Sequence, residues 1–428
     1  MNYSDAISRG VLGEPAFLLG IIAFIGLVIQ RETVERIIQG TIKTILGYIL
    51  IQIGASAAGV ALGNLSLLIQ RGFQVIGIIP HNEVVVALAQ INYGSYIAWI
   101  MLFGMIVHLL IARWSPLKYV FLTGHHILFM ASMLAALLAV YPLGKWEIII
   151  IGSGLLAMAM TVGPAITQPF VRKVIKNDEI AVGHFNSFGF VITGIIASCF
   201  KEKQGEKRES PFPSFAKLQV LFQDHIISTT LFMFTLFLCA SFFVGSEKVT
   251  ELFFSRPPLV ISVIQAIWFA AGVYVILMGV RMLLSEIVPA FQGISEKIVP
   301  NGIPALDCPI LFPYAPIASI FGFLFSLLGG LVAMGVFVLL PNQYTIIIPG
   351  IVSHFFSGGA AGVIAYTIGR RKGLVVGTFI HGFIITFLPY FLIPLLSGLG
   401  YVRATFGDSD FAIIGFFAKW ILQYIFGL

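Results

Sequence analysis

About ten to twelve continuously apolar runs, each near the length of a bilayer-crossing helix, leave this chain little scope to fold in water. The hydrocarbon core is about 30 Å thick and needs about 20 apolar residues per helix. Runs such as Phe17 to Gln30 and Trp146 to Thr167 lack the alternation of a barrel strand. Only 10% of the 428 residues are charged, against roughly 25% in soluble domains, so the expected fold is an all-α polytopic membrane protein. Asp5, Arg9 and Glu14 interrupt the first fifteen residues, and the apolar run after them reads as a retained span, not a cleaved signal. The net charge of +6 fits basic cytoplasmic loops and does not call for a nucleic-acid partner. Cys199, Cys239 and Cys308 stand singly, without metal-ligand or CxxC spacing. No Walker loop or dinucleotide fingerprint is present, so neither cofactor nor metal is expected.

Polar Lys201 to Lys217 divides the chain nearly in half. The expected organisation is a first membrane repeat over 1–200, a cytoplasmic linker over 201–224 and a second repeat over 225–428. Markers recur at a nearly constant offset: Gly54 with Gly279, Gly77 with Gly302, Asn82 with Asp307, and Gly104 to Gly124 with Gly330 to Gly350. Near the ends, Asp178 pairs with Asp410. Charge then orients the halves. Arg113 to Lys118 is basic where its repeat partner, Pro341-Asn-Gln343, is neutral, and the balance reverses between Lys145 and Arg370-Arg-Lys372. Under the positive-inside rule the two repeats are inverted, an arrangement that belongs to transporters with sites at the repeat interface.

Two polar passages break the apolar pattern, Gly77-Ile-Ile-Pro-His-Asn-Glu83 and Gly302-Ile-Pro-Ala-Leu-Asp-Cys308. Their prolines exclude a continuous helix, and non-helical backbone at membrane depth must be buried in protein or line a cavity. Both read as re-entrant hairpins. Carboxylates at such depth are functional candidates by default, which selects Glu83 and Asp307. Glu286 has Arg281 nearby and is assigned to an ion pair, either internal or with another helix. His125, His184 and His354 adjoin breaks of glycine or small residues and are assigned to a cavity, where an imidazole can donate and accept one hydrogen bond each. His108 and His381 lie in plain apolar runs and are assigned to packing. These residues alone also suit an ion-coupled carrier with Glu83 or Asp307 as proton relay, or, less well, a membrane enzyme acting on a lipid.

Taken together, Gly40-Thr-Ile-Lys-Thr44, Leu122-Thr-Gly-His-His126, Val182-Gly-His184, Gly279-Val-Arg-Met282, Gly293-Ile-Ser295, Pro304-Ala-Leu-Asp-Cys-Pro309, Pro313-Tyr-Ala-Pro316 and His354-Phe-Phe-Ser357 resemble one family. It is the ascorbate-type enzyme IIC permeases of the bacterial phosphotransferase system. The resemblance implies about 11 transmembrane helices in two inverted repeats, a homodimer in the bacterial inner membrane, and import of L-ascorbate or a related sugar. It also implies phosphorylation of that sugar by a separate phosphorylated IIB protein, itself supplied by IIA, with no phosphorylated residue on this chain. By position, the implied substrate-binding residues are Asn82, Glu83, His125, His184, Asp307, His354 and Ser357. The chain departs from some ascorbate permeases at Phe129 and Phe185, where they carry glutamine, and at Asn82-Glu83, where they carry threonine-tyrosine. Phenylalanine neither donates nor accepts, so these departures bear on which sugar is carried.

Overall fold

Among the described residues, six helices are long and apolar enough to cross a membrane, or seven if one bent pair forms a single span. The computed structural model describes residues 15–73, 77–80, 82–200, 225–253, 255–297, 299–340, 345–399, 405–424 and 427. The expected linker at 201–224 lies outside the described residues, as does the side chain of Glu83.

The first half contains α1 (Pro15–Ile29), α2 (Val34–Phe73), α3 (Asn82–Trp114), β1 (Tyr119–Phe121), α4 (Gly124–Leu138), α5 (Lys145–Ile175), β2 (Ala181–Val182) and α6 (Ser187–Ser198). The second contains α7 (His225–Val244), α8 (Ser246–Leu252), α9 (Pro258–Lys297), β3 (Ile303–Leu306), a 3-10 turn (Cys308–Tyr314), α10 (Pro316–Leu339), α11 (Ile351–Phe387), α12 (Pro389–Leu392), a second 3-10 turn (Ile393–Leu399) and α13 (Ser409–Tyr424). The composition explains the apolar surface. Phe242, Ile150 and Val60 are exposed as lipid-facing side chains would be, and small residues fill the helix contacts.

The two 40-residue helices, α2 and α9, pack along each other through glycines. Gly47 abuts Leu283 and Gly279, while Gly54 abuts Gly272 and Ile276. Glu286 is held by the other helix: Arg36 Nη1 lies 2.5 Å away and Lys43 Nζ 3.6 Å, both on α2. Of the two pairings expected for this carboxylate, the interhelical one forms.

Helix α5 carries its stop signals in sequence. Gly144 N–H donates to Glu147 Oε2 at its start, Arg172 and Lys173 occupy its last turn, and Lys176 closes it in the left-handed conformation. Helix α11 is interrupted at Gly369 and Arg370, whose backbone leaves helical geometry beside the basic triplet.

Both polar passages enter β-pairing before helical geometry begins at Asn82 and Cys308. β3 is the centre of a three-stranded parallel sheet, ordered β1-β3-β2, with Tyr119 opposite Ile303 and Ala181 opposite Ala305. The other passage bridges Ile78 to Ile347. This pairing satisfies backbone groups that lipid could not. The residue pattern alone did not disclose these strands, which are only two to four residues long.

Candidate functional site

The three parallel strands deliver their polar residues to one place. His125 follows β1 by four residues, His184 follows β2 by two, and Asp307 follows β3 directly. Close approach of β2 requires Gly183, because a Cβ there would sit 2.6 Å from Ala305 O.

Asp307 is the centre of the cluster. Its Oδ1 accepts from Cys308 N at 2.7 Å and from His184 Nδ1 at 2.8 Å, and its Oδ2 lies 3.3 Å from His125 Nε2. His125 Nδ1 in turn shares a 3.2 Å hydrogen bond with Tyr48 Oη on α2. The other nitrogen of His184 is 3.1 Å from Ser357 Oγ and 3.5 Å from Asp408 Oδ1. Ser357 donates to Asp408 Oδ1 at 2.6 Å. Asn82, at the start of α3, donates to Asp408 Oδ2 at 3.1 Å and accepts from Gly407 N at 2.9 Å.

These groups line a cavity of about 490 Å³, within the range of small-molecule sites. Tyr48, Gln52 and Ser56 of α2 line it, as do Val352, Ser353 and Phe356 of α11. Phe129 supplies an apolar patch. Phe185 is buried against Phe121, with ring centroids 4.9 Å apart, and does not line the cavity. Several helices begin at the cavity. α3 starts at Asn82, α4 one residue before His125, and α11 one residue before Val352, while α6 and α13 start shortly after His184 and Asp408. Helix N-termini carry partial positive charge, which offsets the two aspartates.

Of the expected site residues, Asn82, His125, His184, Asp307 and Ser357 therefore converge. His354 lies elsewhere. It is buried between α10 and α11, where Nδ1 meets Ser326 Oγ at 2.8 Å and Nε2 meets Thr386 Oγ1 at 2.9 Å. Replacing His354 with alanine would take from buried Thr386 its partner and leave Ser326 with His381 alone, at about 1–3 kcal/mol. The expected result is lower thermal stability with unchanged ligand affinity, checked by melting and binding on the same preparation.

His381 belongs to the same polar chain. Asn186 Nδ2 donates to its Nε2 at 2.6 Å, and its Nδ1 meets Ser326 at 3.2 Å. His108 is also bonded: its Nε2 accepts from Phe121 N at 3.0 Å, which secures β1, and Nδ1 meets Thr161 at 2.9 Å. Both histidines are core residues as expected, but packing alone does not describe them.

Sequence reasoning missed Asp408, and it marked His126 beside His125 without assigning it a role. Asp408 sits in Gly407-Asp-Ser-Asp410, which reads as a polar loop after Arg403, although Asp408 is only 3% exposed. His126 is buried with its ring centroid 3.9 Å from that of His184, and its Nδ1 has no hydrogen-bond partner among the described residues. Three groups drawn from these side chains bring donor atoms within 4.8 Å of one another. The nitrogens of His184 and the oxygens of both aspartates engage each other, His125, Ser357, Asn82 and Cys308 N, which makes the cluster a hydrogen-bond relay.

Asp410 has a different task. It accepts from Ser187 N at 2.8 Å and Phe188 N at 3.0 Å, capping α6, while Asn186 Oδ1 accepts from Ser409 N at 3.1 Å at the start of α13. The two helix starts cap each other.

Comparison with known proteins adds two findings. The family profile described as "PTS system sugar-specific permease component" matches residues 10–410. The "Ascorbate-specific PTS system EIIC component" of Mycoplasma pneumoniae is 26% identical, and the alignment takes in 87% of this chain and 64% of that protein. The chain thus spans under two thirds of that relative's length.

Proposed function

The chain belongs to the sugar-specific permease components of the phosphotransferase system, and from that premise we propose that it imports L-ascorbate or a related sugar or sugar acid. The import is coupled to phosphorylation of the sugar by a separate phosphorylated IIB protein, which IIA supplies. The observation that carries the substrate class is the cavity itself. Asp307, His125 and His184 offer hydroxyl-binding groups among converging helix N-termini, a setting suited to a hydroxyl-rich ligand. The relative from Mycoplasma pneumoniae, specific by name for ascorbate, points the same way.

Alternating access rests on the two-repeat reading, in which about 11 spans form two inverted repeats over 1–200 and 225–428. Glycine contacts support it. Gly47 against Leu283 has its image in Gly272 against Ala58, and Gly54 against Ile276 has its image in Gly279 against Ile51, each 225 residues on. The β-pairings support it too, because each polar passage pairs with a segment of the opposite half. Movement of one body against the other around a fixed site would then expose the ligand to each side in turn. The reading places the chain as a homodimer in the bacterial inner membrane, with Arg113 to Lys118 and Arg370 to Lys372 on the cytoplasmic face.

A second reading is an ion-coupled carrier. The Asp307–His184–Asp408 relay favours it, since such chains carry protons in pumps and transporters. Uptake of labelled sugars and sugar acids into vesicles, with and without a phosphorylated ascorbate-type IIB, separates the two. The expected result is partner-dependent uptake and a phosphorylated product. Gradient-driven uptake of unchanged solute would establish the carrier reading instead.

A further inference from the structure

We propose that Asp408 is a positioning residue of this same site: through Ser357 it holds the His184 ring as a doubly protonated donor aimed at Asp307. The proposal rests on the functional reading above for its ligand, but its first test does not need one.

The argument is an inventory of protons. Asn82 is fixed in orientation, because its Oδ1 accepts from the backbone N–H of Gly407, so its Nδ2 must be the group donating to Asp408. One oxygen of Asp408 is thus engaged, and the other, Oδ1, faces Ser357 at 2.6 Å and His184 Nε2 at 3.5 Å. An ionised carboxylate only accepts. The Ser357 proton therefore points at Asp408, and Ser357 Oγ can only accept from His184 Nε2 at 3.1 Å. On the ring's other side Asp307 also accepts, from Nδ1 at 2.8 Å. Both ring nitrogens must carry hydrogen, and two carboxylates from separate segments flank the resulting cation.

The neighbouring chain shows the contrast. Asn186 is likewise fixed by Ser409 N and donates to His381, which can donate to Ser326, then to His354, then to Thr386. Each ring there accepts once and donates once, so both stay neutral with every group paired. Only His184 meets a carboxylate on both sides among the described residues. The other ionisable groups near it are His125 and His126 of α4 and the Cys308 thiol. None of them is a carboxylate.

Asp408→Asn removes the charge while keeping the shape. His184 can then stay neutral, donating through Nδ1 to Asp307 and accepting at Nε2 from Ser357. The test is the ¹⁵N spectrum of histidine-labelled, ligand-free full-length protein in lipid vesicles at pH 7, with His184→Gln assigning the signal. The expected result is two protonated ring nitrogens in the wild type and one in Asp408→Asn, with L-ascorbate bound at least tenfold more weakly by the variant. A neutral ring in the wild type, or an unchanged doubly protonated ring in Asp408→Asn, overturns the proposal. If Asp408→Asn does not fold, Ser357→Ala decides: loss of the second ring proton supports the relay, and an unchanged doubly protonated ring overturns it. Failure of the wild type to bind L-ascorbate would count against the substrate reading and leave the ligand-free spectrum to decide this one.

Discussion

Uptake by Asp307→Asn is expected to fall by two to three orders of magnitude while the protein still folds. The carboxylate accepts from His184 at 2.8 Å, faces His125 at 3.3 Å and caps the 3-10 turn through Cys308 N at 2.7 Å. Removing one member of a buried charge pair costs about 3–5 kcal/mol, and each 1.4 kcal/mol is about tenfold in affinity. The Asp307 side chain is 25% exposed, which favours the lower end of that range. Asparagine can still accept from Cys308 N, so the turn should survive. His184→Ala should fail at least as badly, because it leaves Asp307 and Asp408 without the cation between them. The measurement is the initial rate of labelled L-ascorbate uptake at matched amounts of folded protein. Wild-type rates in both variants would refute the site.

The second large effect is structural. Gly54→Val should abolish most folded protein, because a Cβ at Gly54 would lie 2.5 Å from Gly272 O and 2.6 Å from Ile276 N. Both are backbone atoms, so no side chain can rotate away, and α2 and α9 must separate. Overpacking typically costs about 1–3 kcal/mol and occasionally more; here the backbone contact and the β-branched side chain place it at the upper end. Gly59→Val is the control, since nothing lies within 4 Å of a Cβ at Gly59. Size-exclusion profiles of the two variants after a heat step test the difference. Equal survival would mean that α2 and α9 do not pack through these glycines.

Much of this was legible in the sequence because a bilayer penalises polarity so strongly. Asp307, His184 and His125 stood out against apolar surroundings, and each proved to be in the cluster. Gly54 and Gly279 were noticed for their spacing and proved to be contact points between helices. What was not legible depended on tertiary pairing. Asp408 looked like one loop residue among several, and only burial against Asn82 and Ser357 distinguishes it. His354 had the same signature as His184, a histidine near small residues, yet hydroxyls from α10 and α11 satisfy it away from the cavity. The strands are too short for any period to register, and their partners lie far along the chain.

That last feature sets a timetable for synthesis. Ile78 exchanges backbone hydrogen bonds with Ile346 and Ile348, some 270 residues later. At about 5–20 residues per second, the first polar passage waits roughly 15–50 s after it is made before its partner segment exists. Throughout that interval its N–H and C=O groups need water or another protein, because lipid offers neither donor nor acceptor. The interlocked strands therefore make insertion and completion of the site separate events: the helices can enter the bilayer one by one, but the cavity can close only after the second half has arrived.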